Sequence, residues 1–231
     1  ALSLSFLDWI IFLIVMGVTF AVVVNFLTTG PKQMSAMKIL FSMFWLPSMV
    51  VIPMITMRLL SEEKRAGTLE MLMTAPVTDF EVVFAKYLGA VALYTLMWAL
   101  TGLYVLILRH FAGGSAQLDL GPIASGYIGV LLIGQFLIAI GLLSSSLTKN
   151  QVAAALMSFS VVFIVLIAMN WLSYLFPGGP VGQLVHTLSA FDQMEDFTRG
   201  IVDLRPVVLY LSGAVWALFV TTRVVESRKW R

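Results

Sequence analysis

Long apolar runs separated by short polar stretches make up most of the chain. Six are long enough to cross a bilayer, at about 9–27, 40–60, 82–108, 123–143, 152–176 and 207–225. A helix crossing a hydrocarbon core of about 30 Å needs roughly 20 mostly apolar residues. Barrel strands would be about ten residues long with alternating polarity. In lipid no water is at hand for backbone polar groups, so each run must satisfy its own N–H and C=O groups by coiling into a helix. The pattern predicts an all-α, polytopic membrane protein with six transmembrane helices, and residues 1–231 form a single transmembrane domain.

Composition agrees. Mean hydropathy is +0.97, and 11% of residues are charged, against about 25% in soluble domains. There is no cysteine, so disulfides, thiol catalysis and Cys-ligated metal are excluded. A net charge of +2 gives no electrostatic case for nucleic acid, but its distribution orients the chain. With six spans both termini share a side, which holds Arg58, Lys64, Arg65, Lys86, Lys149, Arg223, Arg228, Lys229 and Arg231; the other holds Lys32, Lys38, Arg109, Arg199 and Arg205. Nine against five puts the termini and the 61–81 loop in the cytoplasm. No positive n-region or small-residue cleavage site precedes Trp9, so the first span reads as retained.

Within the spans, Pro47 and Pro53 each remove a backbone donor and predict a bend in span two. Ala85, Gly89, Ala92, Ala99 and Gly102 fall along one face of span three, and Gly126, Gly129, Gly134 and Gly141 make a looser stripe in span four. Small residues let helices approach closely in lipid, so Ala85, Gly89, Ala92, Gly134 and Gly141 are candidate packing positions. Asn25, Gln135 and Asn170 are polar groups inside spans, candidates for a substrate pathway or for interhelical hydrogen bonds. Beyond the turn at 177–180, Leu184, Leu188, Phe191, Met194, Phe197 and Ile201 recur every three or four residues. That spacing predicts one or two interfacial amphipathic helices over 181–205, with Asp192, Glu195, Asp196 and Arg199 on the other face.

The densest island of charge lies between spans two and three. Gly67 permits a sharp turn, Thr68 caps a short helix to Ala75, and Pro76 stops it. Leu69, Leu72 and Met73 share a face of that helix. Thr78 and Glu81 form a Thr-x-x-Glu capping box opening span three. Such an element suits receiving a push from a soluble partner, and it equally suits resting on lipid.

The string Glu62-Glu63-Lys64-Arg65-x-Gly67-Thr68-Leu69-Glu70-x-Leu72-x-x-Ala75-Pro76-Val77, followed by Asp79, Glu81 and Lys86, resembles the first cytoplasmic loop of ABC-2 type transporter permeases. It is similar to the branch that includes gliding-motility permeases and the membrane subunit of nitrous-oxide-reductase maturation. Phe197-x-Arg199-Gly200-Ile201-Val202-Asp203-Leu204-Arg205 is similar to the segment before the last span of that branch. The resemblance implies a type V exporter-like permease fold in the bacterial cytoplasmic (inner) membrane, dimeric with a second copy or a homologue. It also implies that Glu62, Glu63, Arg65, Gly67, Thr68, Leu69, Glu70, Leu72, Met73 and Pro76 contact a separate ABC ATPase subunit, which holds ATP and Mg. The chain has no G-x-x-x-x-G-K-[ST] phosphate loop, and no catalytic residue, metal or cofactor is assigned to it.

Two other classes compete. A membrane-embedded lipid-modifying enzyme needs a His, Asp or Glu cluster at membrane depth. His110 and His186 lie on separate loops, and no H-E-x-x-H occurs. A passive anchor for a soluble partner needs only the same loop as a dock. The thirteen methionines read as core filler and not as copper ligands. The six-span topology predicts that a single cysteine at Ser115 reacts with an impermeant thiol reagent added to intact cells and that one at Ser227 does not; the reverse pattern overturns the orientation.

Overall fold

The computed structural model describes residues 36–67, 78–111, 120–175 and 179–227, together with Ile14, Gly17, Val18 and Ala21. Apart from those four helical positions, the expected first span lies outside the described residues. The described elements are α1 (Ala36–Ser42), α2 (Trp45–Met57), α3 (Ser61–Ala66), α4 (Asp79–Phe111), α5 (Leu120–Leu147), α6 (Gln151–Phe163), a π-helical turn (Ile164–Ala168), α7 (Met169–Leu175), α8 (Gly179–Leu188), α9 (Ala190–Thr198) and α10 (Leu204–Glu226). No strand occurs among the described residues. Among the described residues, four stretches are long and apolar enough to cross a membrane: Asp79–Leu103, Leu120–Leu147, Gln151–Ser173 and Leu204–Glu226.

The run at 40–60 is not one bent helix. It divides into the end of α1 and all of α2, with turns at Met43–Phe44 and Arg58–Leu60, the second leading into α3. The first break sits four residues before Pro47, which has no N–H to give the Met43 carbonyl; that carbonyl accepts instead from the Leu46 N–H at 3.2 Å, a tighter turn. Pro53 stays inside α2. The outer link also departs from the expected single apolar face. Ser189 separates α8 from α9 and caps α9, its hydroxyl accepting from the Asp192 N–H at 3.4 Å. Met194 and Phe197 are buried, while Leu184, Leu188 and Ile201 are exposed. The periodicity continues across Ser189, but the break in the helix turns α8 away from the face that α9 buries.

The bundle is organised around α5, which packs against α1, α2, α3, α4, α6, α9 and α10. It is the most buried of the four long helices, and small residues are what allow this. A side chain at Gly134 would run into the Tyr94 ring of α4, and at Gly141 a Cβ would stand 2.5 Å from Thr56 Oγ1 of α2. Higher on the helix, Gly126 and Gly129 face Phe41 of α1 and Phe197 of α9 in the same way. The exchange is reversed at α10, where Gly213 receives Phe136 of α5.

Hydroxyls supply the buried polar contacts between helices. Ser48 and Tyr94 lie 3.1 Å apart, Thr56 and Ser158 3.3 Å, and Thr101 and Tyr127 2.9 Å. Ser125 of α5 donates to the Phe197 carbonyl of α9 at 2.6 Å. Ser48, Thr56 and Thr101 also bond within their own helices, to the Phe44, Ile52 and Trp98 carbonyls.

Large apolar side chains take the outside: Leu88, Leu96 and Leu103 on α4, Leu156 and Phe159 on α6, Val215, Trp216 and Phe219 on α10. In water such surfaces would drive aggregation; in a bilayer they are the solvated face. The inner face of α4 is Val83, Tyr87, Ala90, Tyr94, Met97, Trp98 and Thr101. Its small-residue stripe lies elsewhere: Ala85 and Ala92 are exposed and Gly89 is half-buried, so within the described residues this stripe is not the surface that packs on α5.

Gly134→Leu should therefore destabilise the chain by about 1–3 kcal/mol, the usual cost of overpacking, and lower the midpoint of thermal unfolding in detergent. Ala92→Leu, on the outward side, should stay within about 0.5 kcal/mol of the parent. Equal midpoints for Gly134→Leu and the parent would contradict the close approach of α4 and α5.

Candidate functional site

The charged island begins at the foot of α2 and is helical one turn earlier than its composition suggests. Ser61–Ala66 forms α3, with Glu62 and Glu63 in its first turn, Lys64 and Arg65 in its last, and Gly67 closing it at φ 72°. Acids at the start and bases at the end complement the helix dipole. A left-handed C-cap is the conformation that glycine adopts without the Cβ penalty.

Six residues are too few to hold a helix alone, and α3 is fastened on three sides. The Ser145 hydroxyl of α5 accepts from the N–H groups of Leu60 and Ser61 at 3.2 and 3.1 Å and donates to the Met57 carbonyl at 3.3 Å. One hydroxyl thereby uses both lone pairs and its proton, satisfying donors that a helix start leaves open. Buried Lys64 donates from Nζ to the Ser146 carbonyl, one of the last carbonyls of α5. An ammonium is tolerated there because it meets the negative end of the α5 dipole. Glu63 pairs with Lys86 of α4, Oε1 to Nζ at 2.5 Å.

These contacts tie the Gly67 end of the 68–77 segment to α5 and to α4, the helix that its other end opens. On the far side of the segment the capping box forms as its sequence specifies: the Thr78 N–H donates to Glu81 Oε2 at 2.8 Å and the Glu81 N–H to Thr78 Oγ1 at 3.3 Å. The segment leaves from Gly67 on α3 and rejoins at Thr78 on α4.

Of the expected contact residues, Glu62, Arg65 and Gly67 are exposed at this end and Glu63 is partly covered by its ion pair. Thr68, Leu69, Glu70, Leu72, Met73 and Pro76 lie outside the described residues, as does Asn25. Gln135 on α5 and Asn170 on α7 are half-buried. Gly134 and Gly141 are buried against α4 and α2.

Three positions at this end were not singled out by sequence reasoning. Ser145 and Ser146 stand in a run, Ser144 to Ser146, which reads as the polar end of a span, yet α5 continues through Leu147 and all three serines are buried. Lys64 reads as one more solvated charge. The available signal was the serine run itself, three hydroxyls closing an apolar helix in a membrane where each needs a partner.

Chemically the arrangement is a mechanical joint. Among the described residues no group of three or more His, Asp or Glu side chains is placed to hold a metal ion. What the site does is join an exposed, charged tip to the most buried helix of the bundle through hydrogen bonds and an ion pair.

The family model for ABC-2 family transporter proteins matches residues 10–229. No curated relative matches the chain. The match takes in all ten described helices and the 68–77 segment, and it accords with an all-helical protein embedded in the membrane. Members of the family are transport subunits that are not themselves ATPases and generally act with a separate ABC ATPase. The chain belongs to the ABC-2 family of transporter proteins.

Proposed function

We propose that this chain is the membrane-spanning permease subunit of an ATP-driven ABC-2 exporter, in which 61–81 couples a separate nucleotide-binding subunit to the bundle. In this reading the permease has six spans with both termini in the cytoplasm of a bacterial inner membrane. It pairs with a second copy or a homologue, and the gliding-motility-like branch is its nearest kind. ATP and Mg belong to the partner. ATP binding closes the ATPases, displaces 68–77, and the displacement passes through α3 into α5.

The observation that carries the proposal is the double attachment of α3. A force on Gly67 reaches α5 through Ser145 and the Lys64–Ser146 bond, and α4 through Glu63–Lys86. The buried lysine bonded across to the central helix holds α3 to the bundle, which a segment that transmits force requires. The route then continues by packing, because α5 meets α2, α4 and α10 where glycines leave no slack.

Leu72→Asp puts a carboxylate on the apolar face proposed to enter the ATPase, where burying an unpaired charge is strongly unfavourable. The permease should insert and fold normally, while ATPase co-purification and transport both fall at least about tenfold. Gly67→Val places a β-branched residue at φ 72° and should act in the same direction, since that conformation costs such a residue about 1–3 kcal/mol. Full ATPase binding and normal transport in both variants would overturn the coupling assignment. Normal ATPase binding with no transport even in the parent would make the chain a passive anchor.

A further inference from the structure

Among the described helices, only the one that begins with α6 and ends with α7 changes its backbone ladder midway. The Ile164 N–H still bonds the Ser160 carbonyl, four residues back. The Met169 N–H reaches the Ile164 carbonyl, five back. The turn Ile164–Ala168 therefore holds one residue more than an α-helix needs. Sharp departures from a straight helix are commonly forced by Pro or Gly, and neither occurs between 151 and 175. The same residues can close the ordinary four-residue ladder.

The turn also divides the packing. Before it, α6 lies against α2 and α5, with the Ser158 and Thr56 hydroxyls 3.3 Å apart. After it, α7 lies against α8 and α9 instead. The helix breaks again at Ser189, between α8 and α9, so α7 and α8 form a pair with an interruption at each end. Two polar contacts fasten the pair to α9. Gln193 Nε2 donates to the Thr187 carbonyl at 2.5 Å, and His186 Nδ1 lies 3.0 Å from Asp192 Oδ2. The imidazole is exposed, which leaves that second contact weak. His186, Thr187 and Leu188 wall one side of a cavity of about 450 Å³ between α8, α9 and the start of α10.

We propose that α7 and α8 form a flap hinged on the π-helical turn, and that its swing opens and closes this cavity. A hinge inside a membrane helix cannot leave backbone groups unbonded, because no water is there to take them. Exchange between five-residue and four-residue bonds meets that condition, since each N–H trades one carbonyl for the next. Passing the extra residue along the helix re-aims each residue it passes by about 100° and shifts it by about 1.5 Å. Half-buried Asn170 and exposed Trp171 are among the first to be re-aimed. The flap is anchored by few contacts at one end and by an exchangeable ladder at the other, the arrangement of a hinge.

The chain has no cysteine, so nitroxide pairs can be placed on the purified full chain in nanodiscs and read by double electron–electron resonance. Leu156→Cys with Leu184→Cys spans the turn. Leu156→Cys with Val215→Cys, both outside the flap, is the control; all three side chains are exposed. The flap pair should give a distance distribution at least about twice as wide as the control, or two maxima. Deleting exposed Ala168 removes the extra residue and keeps both flanks in register. The deletion should narrow the flap pair to one maximum, with the unfolding midpoint unchanged or raised. A flap pair as narrow as the control, or one that the deletion leaves wide, overturns the proposal. Should the deletion unfold the chain, the two pairs in the parent decide. No ATPase is needed, so the result stands apart from the coupling of 61–81.

Discussion

Burial of one helix on every side, in a medium where apolar contact with lipid is no worse than apolar contact with protein, is the constraint on which this bundle depends. In water, α5 could be held by excluding solvent. In a bilayer the hydrophobic drive between helices is gone, and close packing with satisfied hydrogen bonds must replace it. Hence α5 presents Gly134 where Tyr94 enters, Gly141 where Thr56 enters, and a serine hydroxyl at each end. On α5 small and hydroxylated residues face its neighbours, and the large buried rings, Phe41, Tyr94 and Phe197, come from the helices packed against it.

The same economy explains the joint at the foot of the bundle. A two-turn charged helix is unstable alone, and α3 exists because Ser145, Ser146 and Lys86 supply partners for its backbone and side chains. Those partners sit on α5 and α4, the helices that leave and enter the membrane beside it. An element that is stable only while gripped by the bundle cannot move without moving the bundle, and this property suits it to carry force from a neighbouring subunit.

Much of the architecture was legible because helix length in a membrane is dictated by thickness. The runs at 82–108, 123–143, 152–176 and 207–225 became α4, α5, α6 through α7, and α10, all but the third extended by a few residues. The Thr78–Glu81 box was legible for a local reason, since its two hydrogen bonds need nothing beyond four residues. The failures are tertiary. Pro47 predicted a bend, but whether the chain bends or breaks at Met43–Phe44 depends on what packs beside it. The inner face of α4 is set from another helix, Tyr94 facing inward because Gly134 makes room; the stripe of Ala85 and Ala92, expected to pack within the subunit or across a dimer, is exposed in the single chain. Ser145 and Lys64 were illegible singly, since each acquires its meaning from the other's helix.

The central claim is that α3 transmits motion to α5 through Ser145 and Lys64. It is tested most directly by reconstituting the permease with its ATPase and measuring ATP hydrolysis and transport together in a Ser145→Ala, Lys64→Met double variant. The account predicts that the ATPase still binds and hydrolyses ATP while the number of substrates moved per ATP falls several-fold. An unchanged ratio of transport to hydrolysis in a folded double variant would contradict it.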